Sequence, residues 1–287
     1  MCGRYAASKS TDELVEEFEV AVDHTAEPTR CLLKNPQQPP PGEPDFNIAP
    51  TKTARVVLAR RPRSAQPETT ETERLPKPLE PPVRQLRLLS WGLVPSWATG
   101  PGVGPRMANA RGEAVLDKPA FRRAARARRC LVPATGWYEW QPSPVAEERP
   151  GRARTQPFFI HRRDQASAAL AGLYEFWRDP QLPADDPLAW LATFTIITTG
   201  AEPGLDRIHD RQPLVLDPDQ WSSWLDPDVD VDEVAELLAT SRPGRFDAYP
   251  VHRAVGNSRS NGAAMLSPAV ITLEDGVVDP WTAQVLG

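Results

Sequence analysis

The sequence is poor in cysteine and histidine, and it lacks any long apolar run. Its 287 residues include three cysteines and four histidines. Cys2, Cys31 and Cys130 form no CxxC pair, so they provide neither a disulfide framework nor a cysteine-based zinc module, and they fit a reducing compartment. No apolar stretch approaches the ~18 residues of a transmembrane helix, and the amino-terminal segment lacks the apolar core of a secretory signal. We therefore expect a cytoplasmic protein without membrane association.

An excess of positive charge and the common nucleotide-binding motifs are also missing. The net charge is −5, which argues against a globally basic nucleic-acid coat protein. A local basic groove is still compatible with this charge, because phosphate binding depends on where the arginines lie. The sequence contains no GxxxxGK[ST] loop and no Cys/His cluster, so we expect neither a cofactor nor a bound metal.

Proline is the residue in excess. The 33 prolines are about twice the usual ~5% and predict long loops around the core. Strands are predicted at "ARVVLAR", "VRQLRLLSW", "GWYEWQ", "PFFIHR", "AALAGLYEFW" and "ATFTIITT". Helices are fewer: one after Ser10, where Glu13 completes a capping box, one over "DKPAFRRAARARRC" and two after Asp217. Many strands with few helices predict a single α+β domain built around an antiparallel sheet or barrel-like core.

Cys2 is the first candidate for chemistry. If Met1 is removed, Cys2 has an α-amine (pKa ~7.7–8.0) and a thiol (pKa ~8.5) on neighbouring carbons. The amine can form a Schiff base with an aldehyde, and the thiol can then close a five-membered thiazolidine ring. An amino-terminal cysteine can alternatively act as the nucleophile of amide hydrolysis. A small second residue is also common where it has no function.

Two further segments place polar groups where chemistry is possible. Asn109 and Arg111 are two residues apart, so on an extended segment they share a face that suits a phosphate or a polar ring. A loop asparagine beside a surface arginine has the same pattern. Glu139 lies between Tyr138 and Trp140, where burial would raise its pKa and suit it to proton transfer. The alternative is an exposed glutamate that alternates with buried aromatic residues.

His209 is followed directly by an acid and a base, Asp210 and Arg211, at the start of an apolar strand. An ordinary histidine pKa near 6.5 suits a proton shuttle. A structural histidine is the alternative interpretation.

A basic segment and two tryptophans could contact DNA. On the predicted helix over 117–130, Arg122, Arg126 and Arg129 share one face and form a local anion footprint, unless they are only a solvated helix face. Trp91 and Trp97 could stack against unpaired bases, or they could belong to the core.

Nine motifs in order resemble the SOS response-associated peptidase (SRAP) family: "MCGRY", "NIAPT", "WGLVPSWA", "NARGEA", "RRCLVPATGWYEW", "AGLYE", "FTIITT", "IHDRQPLVL" and "NSRSNG". The resemblance covers residues 2–262, with insertions near 60–83, 98–106, 141–156 and 178–190. Residues 263–287 form a C-terminal extension. The family shields abasic sites in single-stranded DNA by covalent crosslinking. The resemblance therefore implies the SRAP fold, a monomer that acts on single-stranded DNA, and association with the nucleoid after damage.

The resemblance also implies roles for individual residues. Cys2 would attack the ring-opened aldehyde and close the thiazolidine, Asn109 would hold the amino terminus or the ring, and Glu139 would move protons at the amine. His209 would help to open the sugar. The same site would remove Met1, and its Schiff base could allow strand cleavage of the lyase type. The implied DNA-binding residues are Arg4, Pro50, Trp91, Arg111, Thr198 and Arg211.

Three other functions stay open at this level. "MCG" also begins glutamine amidotransferases, which makes an amidohydrolase the main alternative, although no synthetase domain follows in this sequence. A protease acting on other proteins is a second possibility. A DNA-binding module without catalysis is a third.

Overall fold

Strands outnumber α-helices in the structure, which confirms the predicted α+β fold class. A computed structural model describes residues 2–33, 35–61, 81–183, 185–269 and 273–286. Most of the predicted insertion at 60–83 lies outside the described residues. Within the described residues, no helix has the length and apolar content needed to cross a membrane.

Fourteen strands and four α-helices make up the described structure, together with several 3-10 segments. The strands are β1 Arg4–Ala7, β2 Val22–Asp23, β3 Asp45–Ile48, β4 Thr53–Arg60, β5 Val83–Trp91, β6 Asn109–Arg111, β7 Arg129–Ala134, β8 Gly136–Arg149, β9 Arg152–Arg162, β10 Ala168–Arg178, β11 Trp190–Gly200, β12 Arg211–Pro213, β13 Val215–Leu216 and β14 Phe246–Pro250. The helices are α1 Thr11–Glu17, α2 Arg122–Ala127, α3 Pro218–Leu225 and α4 Val231–Ala239.

Five strands close into a barrel. The order is β11–β10–β7–β4–β5, and β5 returns to pair with β11 in parallel at Thr193↔Ser90 and Phe194↔Trp91. A second sheet, in the order β14–β9–β8–β1–β3, is antiparallel throughout. The β2–β5 and β6–β11 pairs are also parallel. The core is therefore a mixed barrel beside an antiparallel sheet, rather than antiparallel strands alone.

The main hydrophobic core contains residues from both sheets. Tyr5 and Trp137 from the second sheet and Trp91 and Phe194 from the barrel are fully buried in it. The Tyr5 and Trp91 rings meet edge to face, with centroids 5.2 Å apart. Large aromatic side chains contribute the most apolar area per residue, so this cluster is a strong link between the two sheets. A second core packs all four helices against the barrel.

The helix ends follow the sequence in two of the predicted cases. Ser10 and Glu13 form the capping box of α1, and Asp217 forms one with Gln220 at the start of α3. The segment 141–156, predicted as an insertion, forms the outer part of the β8–β9 hairpin.

The predicted helix over 117–130 is wrong in extent, because α2 ends at Ala127 and Arg129 begins β7. Arg129 is buried, and its guanidinium donates to the carbonyls of Ala125 (2.9 Å), Arg126 (2.7 Å) and Trp224 (2.7 Å). The last carbonyls of a helix lack partners within the helix, so one guanidinium satisfies the ends of both α2 and α3. The anion footprint is thereby reduced to Arg122 and Arg126, which are exposed.

Replacing Arg129 should destabilise the fold. Arg129→Ala is expected to lower the free energy of unfolding by about 3 kcal/mol, because several buried carbonyls lose their donor. The neighbouring exposed control Arg126→Ala should stay within about 0.5 kcal/mol of the wild type. Urea titration followed by circular dichroism measures both values. Equal, small losses in the two variants would contradict this role for Arg129.

Candidate active site

The amino-terminal segment is held inside the protein. Cys2 is fully buried, and its sulfur accepts the backbone N–H of Arg4. Burial raises the pKa of the Cys2 thiol well above its ordinary value, and the charge of Glu139 raises it further. The proximity follows from strand pairing, because β1 runs antiparallel to β8 with Arg4 opposite Tyr138. The residues on either side of that pair, before Arg4 and after Tyr138, are therefore neighbours.

Asn109, on a strand beside the barrel, holds Cys2 by a hydrogen bond. It begins β6, which lies parallel to β11 with Asn109 opposite Ile196, so the predicted extended segment is confirmed. Its Nδ2 donates to the Cys2 carbonyl oxygen at 2.7 Å. Its Oδ1 is buried and accepts no hydrogen bond from the described residues. Because a buried acceptor without a donor is costly, this oxygen is suited to receive an N–H from a group bound at the site.

Trp91 supports Asn109 from within the core. Its Nε1 donates to the carbonyl of Ala108 at 2.7 Å, and the N–H of Ile196 donates to the same oxygen at 3.0 Å. The Trp91 ring is 0% exposed, so of the two alternatives the core position is the one seen here, and its place on a DNA path stays a prediction. Its neighbours are aromatic: Tyr5 meets it edge to face at 5.2 Å, and Phe194 lies nearly parallel to it at 6.3 Å. Trp97, by contrast, is 66% exposed.

Glu139 is a buried acid. Its side chain is 2% exposed, so the alternative of a solvated glutamate on an alternating strand is wrong. Burial raises the pKa of Glu139 from 4.5 to about 8; the positive amino terminus opposes the increase, and Asp210 adds to it. Near neutral pH the carboxyl group is therefore largely protonated, and it can both give and take a proton there.

His209 follows a 3-10 turn, Leu205–Arg207, between β11 and β12. Its Nδ1 accepts the N–H of Arg211 at 3.0 Å and lies 2.8 Å from an oxygen of Asp210. Burial lowers the pKa of His209 below its ordinary value. Burial therefore favours the neutral ring, whose Nδ1 faces both the Arg211 N–H and the Asp210 carboxylate.

These groups share one electrostatic neighbourhood. The positive charge of the amino terminus lowers the pKa of Cys2, Glu139 and His209 alike. Asn109 is bonded to the Cys2 carbonyl. Asn109, Glu139 and His209, which are widely separated in the sequence, thus lie around Cys2 at the start of the chain. No grouping of three or more potential ligands for a metal occurs among the described residues.

The three arginines expected to bind DNA have different surroundings. Arg4 donates to Asn47 Oδ1 at 3.0 Å and to the Val255 carbonyl at 2.9 Å, which ties β1 to a late loop. Arg111 is exposed at the end of β6. Arg211 forms a two-bond contact with Glu113, at 2.6 and 2.9 Å. A phosphate that approached Arg211 would therefore compete with this carboxylate.

Pro50 and Thr198 lie close to the ends of strands. Thr198 is buried, and its carbonyl accepts from Arg211 at 2.5 Å. Pro50 is half-buried and precedes Thr51, whose φ of 79° is left-handed and whose N–H donates to the Trp91 carbonyl at 2.7 Å. Their places on a DNA path stay predictions.

Sequence reasoning missed two buried amides. Asn47 Nδ2 donates to the carbonyls of Val255, Asn257 and Ser260, and so organises the late loop. Its only signal in the sequence is its place in "NIAPT". Gln141 Nε2 donates to the Arg207 carbonyl at 3.0 Å, which links β8 to the turn before His209. Its signal is its spacing of two residues from Glu139, since this spacing returns to the same strand face.

Comparison with known proteins agrees with the motifs. The family model described as SOS response associated peptidase (SRAP) matches residues 1–258. The chain is 31% identical over 270 residues to the abasic site processing protein YoaM of Bacillus subtilis, covering 93% of this chain and 97% of YoaM. It is 28% identical over 276 residues to the abasic site processing protein YedK of Escherichia coli, covering 93% and 100%.

The fold also matches a solved structure. A crystal structure of a Bacteroides thetaiotaomicron protein superposes with a TM-score of 0.67 at 20% identity, covering 94% of this chain and 100% of that one. The motif order, the family match and the shared fold agree with one another, and the chain belongs to the SOS response associated peptidase family.

Proposed function

We propose that this chain processes abasic sites in single-stranded DNA by forming a covalent crosslink through Cys2 after Met1 is removed. The observation that carries the proposal is the 2.7 Å bond from Asn109 Nδ2 to the Cys2 carbonyl, beside a Glu139 whose pKa is about 8. This bond holds Cys2, the residue that would become the amino terminus, close to Glu139, the proposed proton carrier. The abasic-site processing named for the B. subtilis and E. coli relatives supports this choice of lesion.

The proposed reaction balances without a cofactor. The α-amine of Cys2 attacks the aldehyde carbon of the ring-opened sugar and forms a carbinolamine. Its hydroxyl leaves as water with a proton from Glu139, which gives an iminium. The Cys2 sulfur then attacks the iminium carbon, and the S–H proton returns to the Glu139 carboxylate. One C–N and one C–S bond form, one water is released, and Glu139 ends as it began.

Asn109 and His209 would position and prepare the reactants. The Oδ1 of Asn109, which accepts no hydrogen bond from the described residues, is suited to accept an N–H of the amine, which directs the nitrogen lone pair at the aldehyde. Neutral His209 is suited to take the proton of the C1 hydroxyl of the sugar and then, as the imidazolium so formed, to give a proton to the ring oxygen as the ring opens. An unpaired strand presents this aldehyde without the cost of extracting a base from a duplex.

Phosphate contacts would supply affinity that does not depend on base sequence. Exposed Arg111 is the most accessible of the implied contacts; Arg4 is half-buried, and Arg211 would become available once Glu113 is displaced. We also propose that the same site removes Met1 from its own chain. A Schiff base that escaped ring closure could cleave the strand by β-elimination, so the thiol decides between shielding and cleavage.

A crosslinking assay tests the proposed function. Purified protein, with its amino terminus verified by mass spectrometry, is mixed with single-stranded DNA bearing one abasic site and run on a denaturing gel. We expect a denaturation-resistant band that requires both the lesion and Cys2, because only an amino-terminal cysteine offers an amine and a thiol together. Cys2→Ala should abolish the band, whereas Cys31→Ala, a matched cysteine control, should leave it intact.

No band from protein that has lost Met1 would refute the proposal. Glutamine or peptide hydrolysis that depended on Cys2 would then support the amidohydrolase or protease alternative. Binding that is reversed by salt, with no covalent band, would point to a DNA-binding module.

The pH dependence should identify Glu139 as the proton carrier. Glu139→Gln is expected to slow single-turnover crosslinking by about a hundredfold at pH 7. The ratio of wild-type to Glu139→Gln rate constants should be constant at low pH and fall above about pH 8, where Glu139 loses its proton. Taking the ratio cancels the titration of the Cys2 amine. Glu147→Gln, an exposed control further along β8, should match the wild type at every pH. A ratio that did not change with pH would contradict the role.

A further inference from the structure

Residues 273–286 form a small C-terminal hairpin beyond the segment that the family model matches, which ends at 258. Val278 and Val285 pair across it in an antiparallel bridge. Asp279 closes its turn by accepting the N–H of Thr282 at 2.7 Å. The hairpin is thus an ordered element with its own hydrogen bonds.

The hairpin contacts the turn that carries His209 at two points. The Arg207 guanidinium donates to the Pro280 carbonyl at 2.6 Å. The Trp281 ring lies against Gly204 so closely that a Cβ at this glycine would come within 2.4 Å of it, and Gly204 has a left-handed φ of 101°. Only glycine meets both conditions, so the start of the turn is shaped to receive Trp281.

Gln141 joins the hairpin to the strand of Glu139. Its Nε2 donates to the carbonyls of Arg207 (3.0 Å) and Val278 (3.3 Å), and its Oε1 accepts the N–H of Val278 at 2.7 Å. Gln141 is buried and lies two residues beyond Glu139, on the same face of β8. One amide therefore connects the proposed proton carrier, the turn before His209 and the hairpin.

The hairpin is itself anchored to the second sheet. Val277 is fully buried in the main core. Trp281 Nε1 donates to Asp247 Oδ1 on β14 at 3.1 Å, and the Arg163 guanidinium lies over the Trp281 ring at 5.4 Å from its centroid. The hairpin can thus transfer the rigidity of the sheet to the turn.

We propose that the C-terminal hairpin positions His209 relative to Glu139, with Trp281, Arg207 and Gln141 as its positioning residues. This rests on the proposed function for the role of His209. The described contacts are made with Gly204 and Arg207, and they reach His209 through the backbone of its turn. Loss of the hairpin should therefore slow the chemical step and leave DNA affinity nearly unchanged.

Two measurements separate these effects. The dissociation constant is measured with single-stranded DNA bearing a tetrahydrofuran abasic analogue, which has no aldehyde. The maximal single-turnover rate constant is measured with the true abasic site. Trp281→Ala and Arg207→Gln should each reduce the rate constant about tenfold and change the dissociation constant by less than about twofold. Trp281→Phe should restore most of the rate, and Trp190→Ala, an exposed tryptophan at the far end of β11, should match the wild type.

A double-mutant cycle tests whether the effect passes through His209. Adding Trp281→Ala to His209→Ala should cause no further loss, because the residue being positioned is already absent. Losses that multiply, or unchanged rate constants in both Trp281→Ala and Arg207→Gln, would overturn the proposal. If Trp281→Ala shows no cooperative unfolding transition, it has not folded normally. The Arg207→Gln variant then provides the test by itself, because it leaves the buried core intact.

Failure of the proposed function is distinguishable, since the wild type itself would then form no crosslink. The side-chain NMR signals of His209, assigned with His209→Ala, provide the independent readout. They should shift in Trp281→Ala and stay in place in Trp190→Ala. Unchanged signals in Trp281→Ala would overturn the positioning role whatever the reaction.

Discussion

A single hydrogen bond of 2.7 Å, from Asn109 Nδ2 to the Cys2 carbonyl, joins the start of the chain to the barrel side of the fold. The bond can form only because β6 lies along β11 while β1 lies along β8, so the two sheets must both be in place first. Burial of Tyr5, Trp91 and Trp137 between the sheets supplies the apolar stabilisation that keeps them together. Most chains have mobile amino termini, but this one uses its first residues as part of the core.

The same burial raises the pKa of Glu139 at a cost in stability. A pKa of about 8 in the folded state, against 4.5 for an ordinary glutamate, means that between these pH values the Glu139 carboxyl takes up a proton on folding. The unfolded chain would lose that proton above pH 4.5, so the contribution of Glu139 to the free energy of unfolding falls as the pH rises towards 8. The aromatic core between the sheets offsets this cost. Buried carboxyl groups of this kind are typical of sites that transfer protons.

Local features of the structure could be predicted from the sequence. The capping box at Ser10, the helix start at Asp217 and the extended segment at Asn109 depend on neighbouring residues, and each was found. The parallel closure of β5 against β11 could not be predicted, since the two strands lie about a hundred residues apart and no local pattern encodes their pairing. Arg129 continues a helical pattern in the sequence, but carbonyls from two helix ends hold it outside the helix. The contacts of Glu113 and Gln141 depend on the same long-range geometry.

In the proposed adduct, the amine and the thiol of Cys2 are both bonded to the sugar of the abasic site. The most direct test is mass spectrometry of the amino-terminal peptide from crosslinked protein, after treatment with a thiol-alkylating reagent. We predict a peptide that begins at Cys2, carries the sugar remnant with the loss of one water, and resists alkylation, because the sulfur lies within the ring. A crosslinked peptide with an alkylated Cys2 thiol, or a crosslink at any other residue, would contradict the account.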